Sequence, residues 1–183
     1  LTRAMCEAEK VIIEPDENIV FTRTIPEIPA VYSHEQWQNL TQGRTLHELG
    51  PISNICADWG MVLGQGLHGR KQVALATLKC FENDPHKVEF LNSAIETIDA
   101  TLALASRYAA AAIKMGRDDL GQILDHVPAN RPRSFHEALQ SLRLMHSVVW
   151  LGGHYHVGLG RFDQYMWPYL KDDLDSGKLD IEV

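Results

Sequence analysis

The sequence predicts a mainly α-helical chain, and three observations carry that expectation. Apolar residues recur every three or four positions over long stretches, without a break from Val88 through Leu91, Ile95, Ile98 and Leu102 to Ala109. Helix-start signals stand where such stretches begin: Ser33 with Gln36, Asp84 before Pro85, and Ser134 with Glu137. Gly116 and Gly177 stand where they end, as residues that take left-handed backbone at no steric cost. Strand-like patterning is confined to short pieces.

In chain order, Leu1 to Lys10 reads as a charged amphipathic helix. Val11 to Glu14 and Asn18 to Arg23 are short and β-branched and are separated by Pro15 and Asp16, so they read as extended segments with a turn between them. Two prolines enforce extended backbone from Thr24 to Pro29. A short helix follows Ser33, capped in a box with Gln36. Gly43 and the Leu49-Gly50-Pro51 run break the chain, and a second helix starts near Asp58 and runs towards Cys80. Gly60, Gly64, Gly66 and Gly69 weaken its first half by about 1 kcal/mol each relative to alanine. So dense a set marks either an irregular helix entry or a close approach of another backbone. The third helix covers Pro85 to Met115 as a core element, and a short one lies around Asp118 to His126. After a proline-rich loop, the box of Ser134 and Glu137 opens a helix whose broad apolar stripe predicts two buried faces. A strand piece is expected near Gly152 to Leu159. The last helix spans Arg161 to Ser176, with Pro168 predicted to kink or split it.

The composition of the 183 residues, 45% apolar and 22% charged, is that of a globular protein. A net charge of −7 without clustered Lys and Arg excludes a nucleic-acid surface. No apolar run approaches the roughly 20 residues needed to span a bilayer, and a cytoplasmic protein with no membrane partner is expected. Cys6, Cys56 and Cys80 are odd in number and irregular in spacing, which fits a reducing compartment and small buried hydrophobes. No repeat or linker interrupts the chain, so 1–183 reads as one unit with no internal boundary.

The chemical inventory is otherwise poor. There is no Walker loop, HExxH or GxSxG among these residues. His154 and His156 flank Tyr155 after Gly152-Gly153, a spacing open to metal binding, to hydrogen-bonded loop histidines and to substrate contacts. A third metal ligand at recognisable spacing is missing, and no metal site is assigned.

Two long blocks say more: ILDHVPANRPRSFHEALQ at 123–140 and GRFDQYMWPY at 160–169. In composition, order and separation they resemble the blocks that glycyl radical enzymes carry in the first half of their pyruvate formate-lyase domain. DWGMVLGQGL at 58–67 resembles the start of a helix in that family more weakly. Before residue 45 the likeness is general, an extended segment followed by a P-x-x-Y-S-x-E-x-W phrase.

The resemblance implies that this is a helical N-terminal part of a ten-stranded α/β barrel whose centre receives two loops. One presents a catalytic Cys in a G-C-x-E setting, and the other, near the C-terminus, holds a glycine that an S-adenosylmethionine radical activase converts to a radical. Neither motif occurs here, and Cys6, Cys56 and Cys80 all precede the Arg161 block, so no residue is assigned as catalytic. Both ends read as cut, with truncation on the C-terminal side, and no bound cofactor is expected. By resemblance, Asn54 stands where diol dehydratases of the family carry a substrate-binding His. The segment Gly153 to Leu159, with His154, Tyr155 and His156, stands where they carry Gly-His-Ser and a few further residues, and either His154 or His156 takes the pocket position. Asn54, His154, Tyr155 and His156 are the substrate-binding candidates. Arg161 and Asp163 are expected to tie loops together by charge-assisted hydrogen bonds, and Glu137 to act structurally in its cap. The expected function is scaffold and part of the pocket of a formate acetyltransferase-like enzyme or of a radical dehydratase of a small hydroxylated substrate, inactive alone. Its expected partners are a small-molecule substrate, the activase and a second copy, docked through an apolar surface around Trp150, Phe162, Met166 and Trp167. The competing reading is a non-catalytic helical binding or assembly module.

Overall fold

The structure, a computed structural model, describes residues 1–43, 54–154 and 156–180. Among these residues helices dominate: α1 (Thr2–Ala8), a 3-10 turn (Ile28–Val31), α2 (His34–Gln42), α3 (Trp59–Cys80), α4 (Pro85–Lys114), α5 (Asp118–His126), α6 (Phe135–Leu151) and α7 (Phe162–Asp175). Two three-residue strands, β1 (Asn54–Cys56) and β2 (His156–Gly158), form a parallel pair. The sequence break expected at Gly50 and Pro51 lies outside the described residues. None of the described helices is long and apolar enough to cross a membrane.

The boundaries follow the expected chemistry. The Ser33 hydroxyl accepts from the Gln36 amide while the Gln36 side chain accepts from the Ser33 amide, a complete capping box. Asp84 caps α4, Pro85 occupies its first turn, and Gly116 ends it at φ 77°. Pro168 does not split α7. The amide it lacks would have bonded the carbonyl of Gln164, an exposed position where water can take that role, while Met166 and Tyr169 keep the helix on the core.

The capping box of α6 is only half formed. Ser134 accepts from the Glu137 amide, but the Glu137 carboxylate turns to Arg133, taking its backbone amide at 2.6 Å and its guanidinium at 2.5 and 3.0 Å. The first turn of α6 finds its further acceptor in Asp173 of α7, whose Oδ2 accepts the Phe135 amide at 2.7 Å. That bond ties the start of α6 to the end of α7.

Residues 11–14 and 18–23 form no strand, with a bend at Asn18 and Ile19, and side chains take the place of a neighbouring ladder. The amide group of Gln140 accepts from Val20 N at 2.8 Å and donates to Val20 O at 3.1 Å, and Arg143 donates to Phe21 O. The buried carboxylate of Glu9 accepts from the amides of Thr24 and Ile25. The expected extended backbone also gives way to the 3-10 turn at Ile28–Val31.

Helix α6 is buried on two faces, as its stripe predicts. Leu144, Val148 and Leu151 join a core with Phe21, Leu104 and Tyr108, while Ala138, Leu142 and Met145 join a second core with Trp59, Leu63 and Met166. Helix α3 is broken at Gly66, with φ 68° and ψ 169°. There Leu67 N donates to Pro128 O and His68 N to Ala129 O, both at 2.9 Å, and a Cβ on Gly66 would lie 2.6 Å from Ala129 O. Of the two roles open to the glycines, Gly66 takes close backbone approach.

Three expectations need correction. Cys6 is buried, whereas Cys56 and Cys80 are exposed at element ends. The stripe of α4 is buried only from Ala100 onward. The surface expected to be apolar in the C-terminal third is mixed: Trp167 is 52% exposed, but Met166 is buried at 2%, and Trp150 is half-buried under the Arg23 guanidinium, 4.6 Å from the ring centre. Phe162 is also half-buried, against the Tyr165 ring. The larger apolar groove runs instead between α3 and α4, about 610 Å³ in volume, beside a 72% exposed Phe90.

Candidate functional site

Two segments 102 positions apart meet in the β1–β2 pair, whose register sets Asn54 against His156, Ile55 against Val157 and Cys56 against Gly158. Opposed residues of a parallel pair share a face, and successive residues alternate between faces. Asn54, His156 and Cys56 therefore share one face, and all three are exposed. Val157 lies on the other, half-buried against the core of Trp59, Leu142 and Met145. The structure thus brings Asn54 and His156 together on one exposed face. His154 precedes them after Gly153, which takes φ 90°, and its amide donates to Val149 O at the end of α6. Tyr155 lies outside the described residues.

Three helices hold the β2 segment. His146 of α6 places Nε2 3.2 Å from Val157 O, Trp59 of α3 donates Nε1–H to Gly158 O at 3.0 Å, and Tyr165 of α7 donates its hydroxyl to Leu159 O at 2.7 Å. A carbonyl only accepts, so His146 carries its proton on Nε2 here. Burial pushes the Tyr165 hydroxyl above its ordinary pKa, followed by the effect of the nearby Cys56 thiol, which keeps it a donor. Beyond the carboxyl ends of the strands lies a cleft of about 350 Å³ lined by Cys56, Asp58, Trp59, Gly160, Arg161 and Tyr165.

Arg161 and Asp163 form a bidentate pair with each other at 3.0 and 2.8 Å at the exposed start of α7, and that pairing holds the Asp163 carboxyl below its usual range. Glu137 is buried away from the strand pair. Burial alone would raise its pKa, but the hydrogen bonds and charge of Arg133 together hold it below the ordinary glutamate value, with His126 3.9 Å away adding to the effect. Among the described residues no group of three or more His, Cys, Asp and Glu is arranged to hold a metal ion.

Trp59, His146 and Tyr165 are site residues that the sequence reading passed over. One signal was present: His146 interrupts the apolar stripe of α6 between Met145 and Val149, and a polar ring there needs a partner.

Comparison with known proteins follows the same geometry. The profile of the family described as pyruvate formate lyase-like matches residues 17–183. Isethionate sulfite-lyase of Bilophila wadsworthia is 30% identical over 143 residues, covering 68% of this chain and 17% of that protein. A solved structure concerned with 1,2-propanediol dehydration in Roseburia inulinivorans superposes with a TM-score of 0.81 at 22% identity, over 98% of this chain and 32% of that one. The glycerol-bound B12-independent glycerol dehydratase of Clostridium butyricum gives 0.75 at 20% identity, over 93% and 31%. The chain spans under a fifth of the curated relative's length and about a third of these solved chains. With the family match running through both sequence blocks and the strand pair, the chain belongs to the pyruvate formate lyase-like family of glycyl radical enzymes.

Proposed function

We propose that this chain supplies scaffold and one wall of the substrate pocket in a glycyl radical enzyme acting on a small hydroxylated substrate, and that it has no turnover of its own. The observation that carries the reading is the parallel register that sets Asn54 beside His156 on an exposed face. A side-chain amide and an imidazole together offer donors and acceptors, the chemistry that recognises a hydroxyl group. His154 and Tyr155 belong to the same wall in this reading. The names of the relatives agree in kind: isethionate, 1,2-propanediol and glycerol all carry a hydroxyl on a small carbon frame.

In such an enzyme a glycyl radical installed by the activase would supply hydrogen-atom abstraction, working through a cysteine that is not assigned in this chain. The residues of this chain bind and orient; Arg161, Asp163 and Glu137 hold helix starts. A dehydratase or lyase reaction suits the Asn54 and His156 wall better than acyl cleavage, since it needs the hydroxyl held in place. A cytoplasmic homodimer served by the activase completes the reading.

Titrating the isotopically labelled chain with glycerol, 1,2-propanediol and isethionate tests the wall by nuclear magnetic resonance. Shifts should concentrate at the Asn54 and His156 amides and vanish in Asn54→Ala. Shifts spread evenly over the surface would overturn the reading. Anaerobic treatment with an activase should give no radical signal from the chain, and an organic radical in its electron paramagnetic resonance spectrum would refute the claim of inactivity.

A further inference from the structure

Three consecutive backbone carbonyls, Val157, Gly158 and Leu159, each accept a hydrogen bond from a ring-bearing side chain, and each side chain comes from a different helix. The strand they hold is only three residues long and pairs with another of three. Parallel pairing is weaker per residue than antiparallel pairing, and a two-stranded sheet is marginal in water. Backbone pairing alone leaves His156 loosely placed, whereas a recognition site works only when its groups are held to within about half an ångström. The donors are themselves braced. Trp59 is 3% exposed in the core, and its ring lies 5.9 Å from that of His146. Tyr165 meets Phe162 edge-on.

We infer that Trp59, His146 and Tyr165 form a three-donor clamp that sets His156 against Asn54, and that they are positioning residues for the pocket wall. The inference rests on the reading of Asn54 and His156 as that wall. The clamp also transmits helix packing to the site: α3, α6 and α7 share one core, so a shift in any of them displaces the carbonyl it holds.

The test uses the whole chain and four variants. His146→Phe keeps a ring against Trp59 and removes the donor, His146→Gln restores a donor, Tyr165→Phe removes only the hydroxyl, and the double variant His146→Phe with Tyr165→Phe removes two clamps. Amide hydrogen exchange in β1 and β2 should run about five-fold faster in each single donor-loss variant and faster still in the double, the loss of one net hydrogen bond each. Amides of the buried half of α4 should exchange as in the unaltered chain, and His146→Gln should recover most of the protection. Glycerol affinity, read at the His156 amide, should weaken at least about three-fold in the donor-loss variants with the thermal midpoint nearly unchanged and return in His146→Gln. Unaltered exchange in β1 and β2, or equal acceleration throughout α4, overturns the clamp. A lack of any glycerol response in the unaltered chain, with the exchange pattern as expected, overturns the pocket reading and leaves the clamp standing.

Discussion

The inner and outer ends of the α3–α4 hairpin look alike in sequence and differ in what covers them. From Ala100 to Ala112 helix α4 buries Leu104, Ala105, Tyr108 and Ala109 among α1, α5 and α6. From Pro85 to Asp99 the same three-four stripe continues through Leu91, Ile95 and Ile98, yet no residue there is buried. Helix α3 repeats the division, with Trp59, Leu63 and Leu67 buried near its start and nothing buried after Leu67. Periodicity identifies the face a helix turns to a partner, but whether that partner is a full core or one neighbouring helix is decided by residues far away in the chain.

The comparison is sharpest in cavity formation. Leu104, 1% exposed, should lose about 2–5 kcal/mol on replacement by Ala, the ordinary cost of a buried leucine truncation. Leu91→Ala, half-buried on the outer end, should cost less than about 1 kcal/mol, since alanine also favours the helix. Denaturant unfolding of the two variants measures the difference, and equal losses would mean that the outer groove is covered in solution.

Gly66 is the point at which α3 leaves the core. Gly66→Ala forces a side chain into left-handed backbone and against the Ala129 carbonyl, so it should destabilise by about 2–3 kcal/mol. Gly64, two residues earlier, has nothing within 4 Å of its would-be Cβ and lies within the helix. Gly64→Ala should be neutral or stabilising by up to about 1 kcal/mol. The same denaturant measurement separates them, and a harmless Gly66→Ala would remove the break as the cause of the bend between inner and outer ends.

Much of this was legible in the sequence where local rules decide. The cap of Asp84, the box of Ser33 and Gln36 and the stop at Gly116 needed only their neighbours. Glu137 was misread because its choice lay between two adjacent amides, and the guanidinium of Arg133 tipped it outward. The strand-like stretch 18–23 failed to become a strand because Gln140, 120 positions away, satisfied its backbone first. Asn54 and His156 could be singled out by resemblance alone, but their pairing is a matter of register between distant segments. The donors that hold that pair were hidden in apolar stripes, where a Trp, a Tyr and a His read as filling.

Glu137 is buried at the start of α6, whereas Asp99, paired with Lys71 at the outer end of the hairpin, is far more exposed. Its carboxyl titrates lower folded than unfolded, so its stabilisation is complete above the ordinary glutamate value of about 4.3 and is lost as pH falls through the lowered folded value. Glu137→Gln keeps an acceptor for the Arg133 amide and removes the charge, and should cost about 1.5–2 kcal/mol at neutral pH. The gap between the two proteins, followed by denaturant unfolding from about pH 6 to pH 3, should close in acid. A gap that stays constant would show that hydrogen-bond geometry, and not the charge, carries the contribution.

The two ends also carry their own chemical probes, which leave stability almost untouched. Cys6 packs at the inner end beside Leu104, with Arg107 bonding its carbonyl, and is 2% exposed. Burial first, and then the negative charge of Glu9, push its thiol up to about 12, so at neutral pH it is both covered and protonated. Cys80 closes α3 at the outer tip and is exposed, its thiol lying 3.5 Å from the Ala76 carbonyl. A disulfide reagent at about pH 8 should therefore modify Cys80 and the exposed Cys56 within the mixing phase of the reaction. Cys6 should react only as the inner core opens, at a rate that rises with denaturant and rises further in Leu104→Ala. Leu91→Ala should leave that slow phase unchanged. Three thiols reacting together in the native protein would mean that the inner end of α4 opens as freely as the outer one, and the contrast between them would not survive.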